Sequence, residues 1–386
     1  MDRDKLDGNA TKTRRVRVLA VGQTPPPYHG QSVMIQMLVD GPVDGVELHH
    51  VRMAFSDSNN EVGRFQFSKV LHLISLIIRI IWGRIRYGES ILYYPPAGPN
   101  RVPLMRDAVL LLSTRWMFRK TIFHFHAAGA SELIPTLPWW LRALVNRALH
   151  SPDAAIQLSI LTVPDAAFFK AKRVFIVPNG VDDPFADRRS IPTKSISNPG
   201  INLLYLGTVC ESKGILLLLE ACSRLRESGI DYYLHVVGSF QPASFEKVVR
   251  EKIKELRLEP YVTLHGQRIG DEKSMFFANS DIFCFPTHYE SEGFPCVLVE
   301  AMSYSLPVIS TRWRGIPSIV IDGETGYLIE IKNSDALASK IGLLACDESL
   351  RAKMGQQGRV RFESEFTRPK HLQMMSQVFR DVGNEE

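Results

Sequence analysis

The chain has only five cysteines in 386 residues, Cys210, Cys222, Cys284, Cys296 and Cys346, and none falls in a C-x-x-C pair or a zinc spacing. This excludes a disulfide scaffold and a zinc module and leaves buried thiols in a reducing compartment as the expectation. Long apolar runs are also scarce. The longest, "VLHLISLIIRIIW" at Val70–Trp82, is interrupted by Arg79 and falls short of the ~20 residues that cross a bilayer. The opening "MDRDKLDGNATKTR" is polar and lacks the apolar stretch of a secretory signal, so the expected location is cytoplasmic. The one D-x-D, Asp2 and Asp4, sits in that polar tail, and no metal site is expected. Nor does charge of one sign dominate. With 46 Lys and Arg against 41 Asp and Glu the net charge is +5, which suits an anionic ligand or surface far better than nucleic acid.

What the sequence does contain is alternation. From Val16, short β-rich runs ("VRVLAVG", "VELHHVRM", "ILYYPP", "TIFHFHA", "AAIQLS", "VFIVPNG") alternate with helical stretches, and after Ile201 a second series follows ("INLLYLG", "YYLHVVG", "YVTLHGQ", "DIFCFP", "LPVIST", "GYLIE"). Such alternation implies βαβ units and parallel sheets. Between the series, "DDPFADRRSIPTKSISNPG" is rich in Pro, Ser, Asn and Asp and reads as a linker. The expected organisation is therefore α/β, with two doubly wound Rossmann-like domains facing a cleft. Residues 15–183 form the first, 184–200 the linker and 201–365 the second, while 366–386 form a terminal helix packing back on the first domain. Ligands of open parallel sheets bind beyond the carboxyl ends of the strands, so the loops after Gly22, His126, Gly207 and Pro286 are the candidates for a site.

Two of these loops belong to the second series. "LLYLGTVCESKGILLLLEA" reads as strand, loop and helix, with Gly207, Thr208, Lys213 and Gly214 in the loop. Backbone N–H groups at a helix start together with a lysine suit a diphosphate, and a solvated lysine beside a turn glycine is the alternative. The loop is neither the G-x-G-x-x-G fingerprint nor a P-loop, so nicotinamide cofactors and ATP hydrolysis lose support. "THYESEGFPCVLVEAM" sets Glu292 and Glu300 eight positions apart around an apolar helix. If helical throughout, that spacing separates them by ~12 Å, too far for a glycosidase pair working on one bond. Recognition of two sets of hydroxyls on one elongated ligand is the better use, with a diphosphate between them near the N–H groups of Gly293, Phe294 and Cys296. Glu300 as a plain surface residue is the alternative.

Together, "GTVCESKG", "ESEGFPCVLVEAM", "VPNGVD", "LPVIST" and "GETGYLI" resemble the GT-B family 4 glycosyltransferases, the retaining, nucleotide-sugar-dependent group also known as glycosyl transferases group 1. The resemblance covers nearly all of the second half and, more weakly, the first. It implies that Glu300 holds the ribose hydroxyls, Glu292 the donor sugar and Lys213 the diphosphate, with Gly207 and Thr208 in the same donor loop. It implies a UDP- or GDP-sugar as donor substrate, no cofactor, and a glycan or lipid-linked acceptor in surface polysaccharide or exopolysaccharide synthesis. A nucleotide-sugar epimerase or a non-catalytic binding protein would share the cleft.

The family often has an Arg where Thr208 stands, and its paired glycines after the "LPVIST"-like strand appear here as Arg314-Gly315. Arg314 is therefore a candidate replacement for the missing phosphate partner. In the first half, Gly30 matches a glycine whose backbone approaches the donor phosphate, and His126 matches the histidine beside the transferred sugar. His124, on the same strand face, reads as structural, and Ser32 as a cap for the helix that follows Gly30. Asn179, in the Asn-Gly turn of "VPNGVDD", is a secondary candidate. Two stretches could touch the inner face of a membrane: Lys69–Arg86, for which packing on the sheet is the ordinary reading, and "LPWWLRALVNRALH", with Trp139 and Trp140 beside Arg142 and Arg147.

Overall fold

The computed structural model describes residues 15–53, 55, 67–88, 90–186 and 200–384. Asp2 and Asp4, and most of the expected linker, lie outside the described residues. Twelve strands form: β1 Val16–Gly22, β2 Val46–Arg52, β3 Ile91–Tyr94, β4 Lys120–Phe125, β5 Ala154–Gln157, β6 Val174–Ile176, β7 Ile201–Leu206, β8 Tyr232–Val237, β9 Val262–Gly266, β10 Ile282–Phe285, β11 Val308–Thr311 and β12 Gly326–Ile329. They assemble into two six-stranded sheets, ordered β2-β1-β3-β4-β5-β6 and β12-β11-β10-β7-β8-β9. Every pairing is parallel.

The strand sequences explain the layering. Parallel strands covered by helices on both faces are apolar on both, and in the first sheet successive residues feed two separate cores. Leu19, Val21, Leu92, Tyr94, Phe123 and Phe125 face one way, against Leu76, Leu104, Leu111 and Val145 of the covering helices. Val18, Ala20, Ile91, Tyr93 and Ile122 face the other way, against Met34 and Leu38. That second core is completed from the far end of the chain, where helix Arg368–Gly383 contributes Leu372, Met375, Val378, Phe379 and Val382. The second sheet has one large core of its own.

Two passages join the halves, and they run side by side. Val181 N donates to Phe366 O and Arg368 N to Val181 O, each at 2.9 Å. Arg359 grips Asp183 with two bonds of 2.8 Å and donates a third, also 2.8 Å, to Ser303 O, which ties the start of the first crossing to the second domain.

Candidate functional site

The direction of winding reverses between β1 and β3 in the first sheet and between β7 and β10 in the second. Loops leaving strands at such reversals diverge and open a crevice. The loop after β7 carries Gly207, Thr208 and Lys213; the loop after β10 carries Glu292, Gly293 and Phe294.

These two loops are fitted to each other. Glu211–Lys213 make a single 3-10 turn, and Gly214 follows at φ +81° before helix Ile215–Glu227. A side chain at Gly214 would place its Cβ 2.1 Å from Pro286 O, so only glycine lets the first loop sit on the second. His288 N then donates to Ser212 O at 2.7 Å. Gly207, at φ +148°, lies flat against the Phe285 ring, and Thr208 O accepts from the Tyr205 hydroxyl at 2.9 Å.

This seating delivers Lys213 to Glu292. The ammonium bonds Glu292 Oε2 and lies 4.6 Å from the centre of the Tyr289 ring, while Thr287 Oγ1 donates to the same oxygen at 3.1 Å. Glu292 is 7% exposed. A carboxylate so withdrawn from water requires such partners, and they leave a charged donor and a charged acceptor side by side at the strand ends.

Glu300 sits on helix Cys296–Ser303 with Oε1 2.6 Å from Lys273 Nζ. Its Oε2 is out of solvent and without a hydrogen-bond partner among the described residues. Glu292 is not on that helix. The helix begins only at Cys296, after Pro295 in extended conformation, so Gly293, Phe294 and Pro295 between the glutamates are loop and the helical separation expected from sequence does not apply. No described side chain caps this helix start, which leaves its first-turn N–H groups without a side-chain partner.

The first domain meets this assembly at Gly293. A Cβ there would lie 2.6 Å from His126 O, and Gly315 packs against Gly293 O from the other side. The His126 ring lies against His124 with centroids 3.9 Å apart and the ring planes tilted by 31°. His124 Nδ1 bonds the Tyr93 hydroxyl at 2.7 Å, a structural role, whereas both ring nitrogens of His126 are sequestered and unpartnered among the described residues. Burial lowers the His126 pKa to about 3, with the nearby His371 and His29 adding to the effect. The imidazole is therefore neutral at physiological pH.

His29, and not Ser32, is the N-cap of helix Gly30–Asp40: its Nδ1 accepts from Ser32 N at 3.2 Å, and Ser32 Oγ accepts from His29 N at 3.1 Å. Gly30 faces open space, since a Cβ there would meet nothing within 4 Å. Asn179 points its amide at Phe294 O and Cys296 Sγ, 3.5 and 3.4 Å away, and its Oδ1 is buried without a partner among the described residues. Burial raises the Cys296 pKa to about 12, which keeps it a thiol.

Arg314 does not stand free to meet a phosphate. At φ +49° it forms a two-bond ion pair with Glu132 of the first domain, at 2.8 and 2.7 Å. Sequence reading missed Lys273, Glu132 and His371. Lys273 lies in the unremarkable "GDEKS" and His371 in the terminal helix, with no local pattern to mark either.

Residues 187–361 match the model of glycosyl transferases group 1. Among curated proteins, the chain is 35% identical over 163 residues to the capsular polysaccharide biosynthesis glycosyltransferase CapM of Staphylococcus aureus, covering 42% of this chain and 41% of CapM. It is 32% identical to the lipopolysaccharide 1,2-N-acetylglucosaminetransferase of Salmonella typhimurium, over 59% of this chain and 58% of that one. The matches span roughly two fifths to three fifths of these relatives' lengths. In three dimensions it is similar to sucrose-phosphate synthase from Thermosynechococcus elongatus, with TM-score 0.72 at 18% identity over 95% of this chain and 99% of that one. It is likewise similar to HepE of Anabaena in complex with UDP and glucose, with TM-score 0.69 at 16% identity over 95% of this chain and all of that one. The paired parallel sheets are the GT-B fold, and the match to glycosyl transferases group 1 lies in residues 187–361, the second half of the chain.

Proposed function

We propose that the chain is a retaining glycosyltransferase that moves a sugar from a nucleotide-diphosphate sugar, a UDP- or GDP-sugar, to a glycan or lipid-linked acceptor. Its setting is the synthesis of a surface polysaccharide or exopolysaccharide, in the cytoplasm at the inner face of the membrane. The observation that carries this reading is the Lys213–Glu292 pair at the carboxyl ends of β7 and β10, with Glu300 on the helix that follows and the His126 backbone of the other domain against Gly293. Glu300 Oε2, an acceptor without a partner, takes a ribose hydroxyl. Glu292 takes hydroxyls of the sugar, and Lys213 turns to the diphosphate when the donor arrives.

The negative charge that develops on the departing diphosphate is met by Lys213 and the uncapped N–H groups ahead of helix Cys296–Ser303, fixed donors aimed at developing charge. A metal has no task left in this scheme, and no cofactor beyond the donor is needed. His126, neutral, offers the sugar one hydrogen bond and moves no proton in the physiological range.

A panel of UDP-, GDP- and ADP-sugars scored by thermal stabilisation and slow donor hydrolysis tests the reading. One nucleotide series should stabilise the protein and be hydrolysed, with hydrolysis unaltered by EDTA. Stabilisation without turnover points to a binding protein, conversion of donor to its epimer points to an isomerase, and activity restored by Mg²⁺ or Mn²⁺ after chelation overturns metal independence.

A further inference from the structure

Helix Phe67–Tyr87 is apolar on two opposite faces, where a domain core uses only one. Leu76 and Ile80 are fully buried against the first sheet. On the outer side Leu71, Ile74, Ile78, Trp82 and Ile85 are exposed by 58, 51, 60, 57 and 73%. At ~100° and 1.5 Å per residue, these five lie within about 80° of helix surface and form one stripe about 20 Å long. Isolated exposed leucines are ordinary, but a continuous stripe of large side chains marks a contact surface.

Charge decides what the contact is with. The helix sequence "FSKVLHLISLIIRIIWGRIRY" has no acidic residue and carries Lys69, Arg79, Arg84 and Arg86. Arg79 and Arg86, both exposed, fall about 40–60° from the stripe on the Trp82 flank. Arg84 is tied to Met117 O at 2.9 Å, which brings exposed Trp116 to the same end. A second copy of this helix, packed stripe to stripe, would set Arg79 and Arg86 against their counterparts with no carboxylate of the helix between them. An anionic bilayer offers the stripe its acyl chains and the arginines its phosphates. No described helix is long and apolar enough to cross a membrane, so the helix lies along the interface, as amphipathic anchors do.

We propose that this face of the first domain is a docking surface for an anionic lipid bilayer. The inference deepens the preceding reading by giving the enzyme a route to an acceptor held in lipid, and it rests on that reading for this purpose alone. The full chain is tested by co-sedimentation with vesicles of phosphatidylcholine, with and without about one third phosphatidylglycerol. The chain should bind the anionic vesicles and be released by salt. The pairs Ile78→Ser/Trp82→Ser and Arg79→Glu/Arg86→Glu should each weaken binding by about tenfold or more, with thermal unfolding and hydrolysis of soluble donor unchanged. Absence of wild-type binding, or equal binding to neutral and anionic vesicles, overturns the proposal. So does a wild-type dimer that the Ile78/Trp82 pair of substitutions converts to monomer, because the stripe is then a subunit interface. Vesicle binding without donor turnover leaves the surface standing and removes the proposed activity.

Discussion

Lys273 Nζ stands 2.6 Å from Glu300 Oε1 while Glu300 Oε2 is buried without a partner among the described residues, so one carboxylate is half committed to the protein and half unpaired. If the unpaired half takes a ribose, Glu300→Gln weakens binding of the free nucleoside diphosphate and of the sugar donor by similar factors. The expected loss is on the order of tenfold, about 1.4 kcal/mol for one charged hydrogen bond. Isothermal calorimetry with both ligands checks this, and a loss confined to the sugar donor contradicts it.

Glu292 behaves otherwise. Glu292→Gln keeps a similar volume and leaves diphosphate affinity nearly unchanged, yet transfer falls by one to two orders of magnitude if its bonds to the sugar tighten in the transition state. The neighbouring change Lys213→Met has a second cost, because it strands Glu292 with only Thr287 for company. Loss of one partner from a buried ion pair destabilises by about 3–5 kcal/mol, so thermal unfolding should shift by several degrees in addition to the lost phosphate contact.

Gly293→Ala probes the seam between the domains. Its Cβ would lie 2.6 Å from His126 O, closer than carbon and oxygen approach, so the loops must part by about 1 Å. Displacements of that size at a reacting centre cost about a hundredfold in rate. Folding, followed by circular dichroism, should persist; an unaffected turnover number would show that the seam is not part of the working geometry.

Acid stability follows from the histidines behind the site. Burial lowers His126 to about 3 and His371 to about 4, and lowers His124 as well. The unfolded chain takes up protons near the ordinary histidine value, while the folded chain refuses them until far lower pH. The stability they confer is therefore complete above about pH 6.5 and declines as pH falls toward about 4. Thermal melts from pH 7.5 to 5 should show this decline, and His371→Gln should make it shallower. A flat profile would mean that these rings are solvated.

Much of this was legible in sequence because it is local. All twelve described strands are β-rich runs a few residues long between turn residues, and Lys213 and Glu292 lie in the loops that follow β7 and β10, with Glu300 on the helix after the second. The pairings were not legible. Lys273 and Glu300 are 27 positions apart and Glu132 and Arg314 are 182 apart, so only the closed fold brings them together. The ambiguous case is the helix at Phe67–Tyr87. A run apolar nearly all round reads as core, and Leu76 and Ile80 do sit in the core, but composition alone does not reveal that Leu71, Ile78 and Ile85 face outward. That distinction depends on what lies on the far side.

The return of helix Arg368–Gly383 to the first sheet has a consequence for how the protein is made. The side chains that close one face of that sheet, Leu372, Met375 and Phe379 among them, leave the ribosome only after the whole second domain, whereas Val18 and Ala20, which they cover, leave before it. The second domain, whose core draws on residues from Leu158 to Phe366, can reach its final packing earlier. Synthesis order and completion order are thus inverted: the first domain waits, one face open, until helix Arg368–Gly383 arrives to seal it.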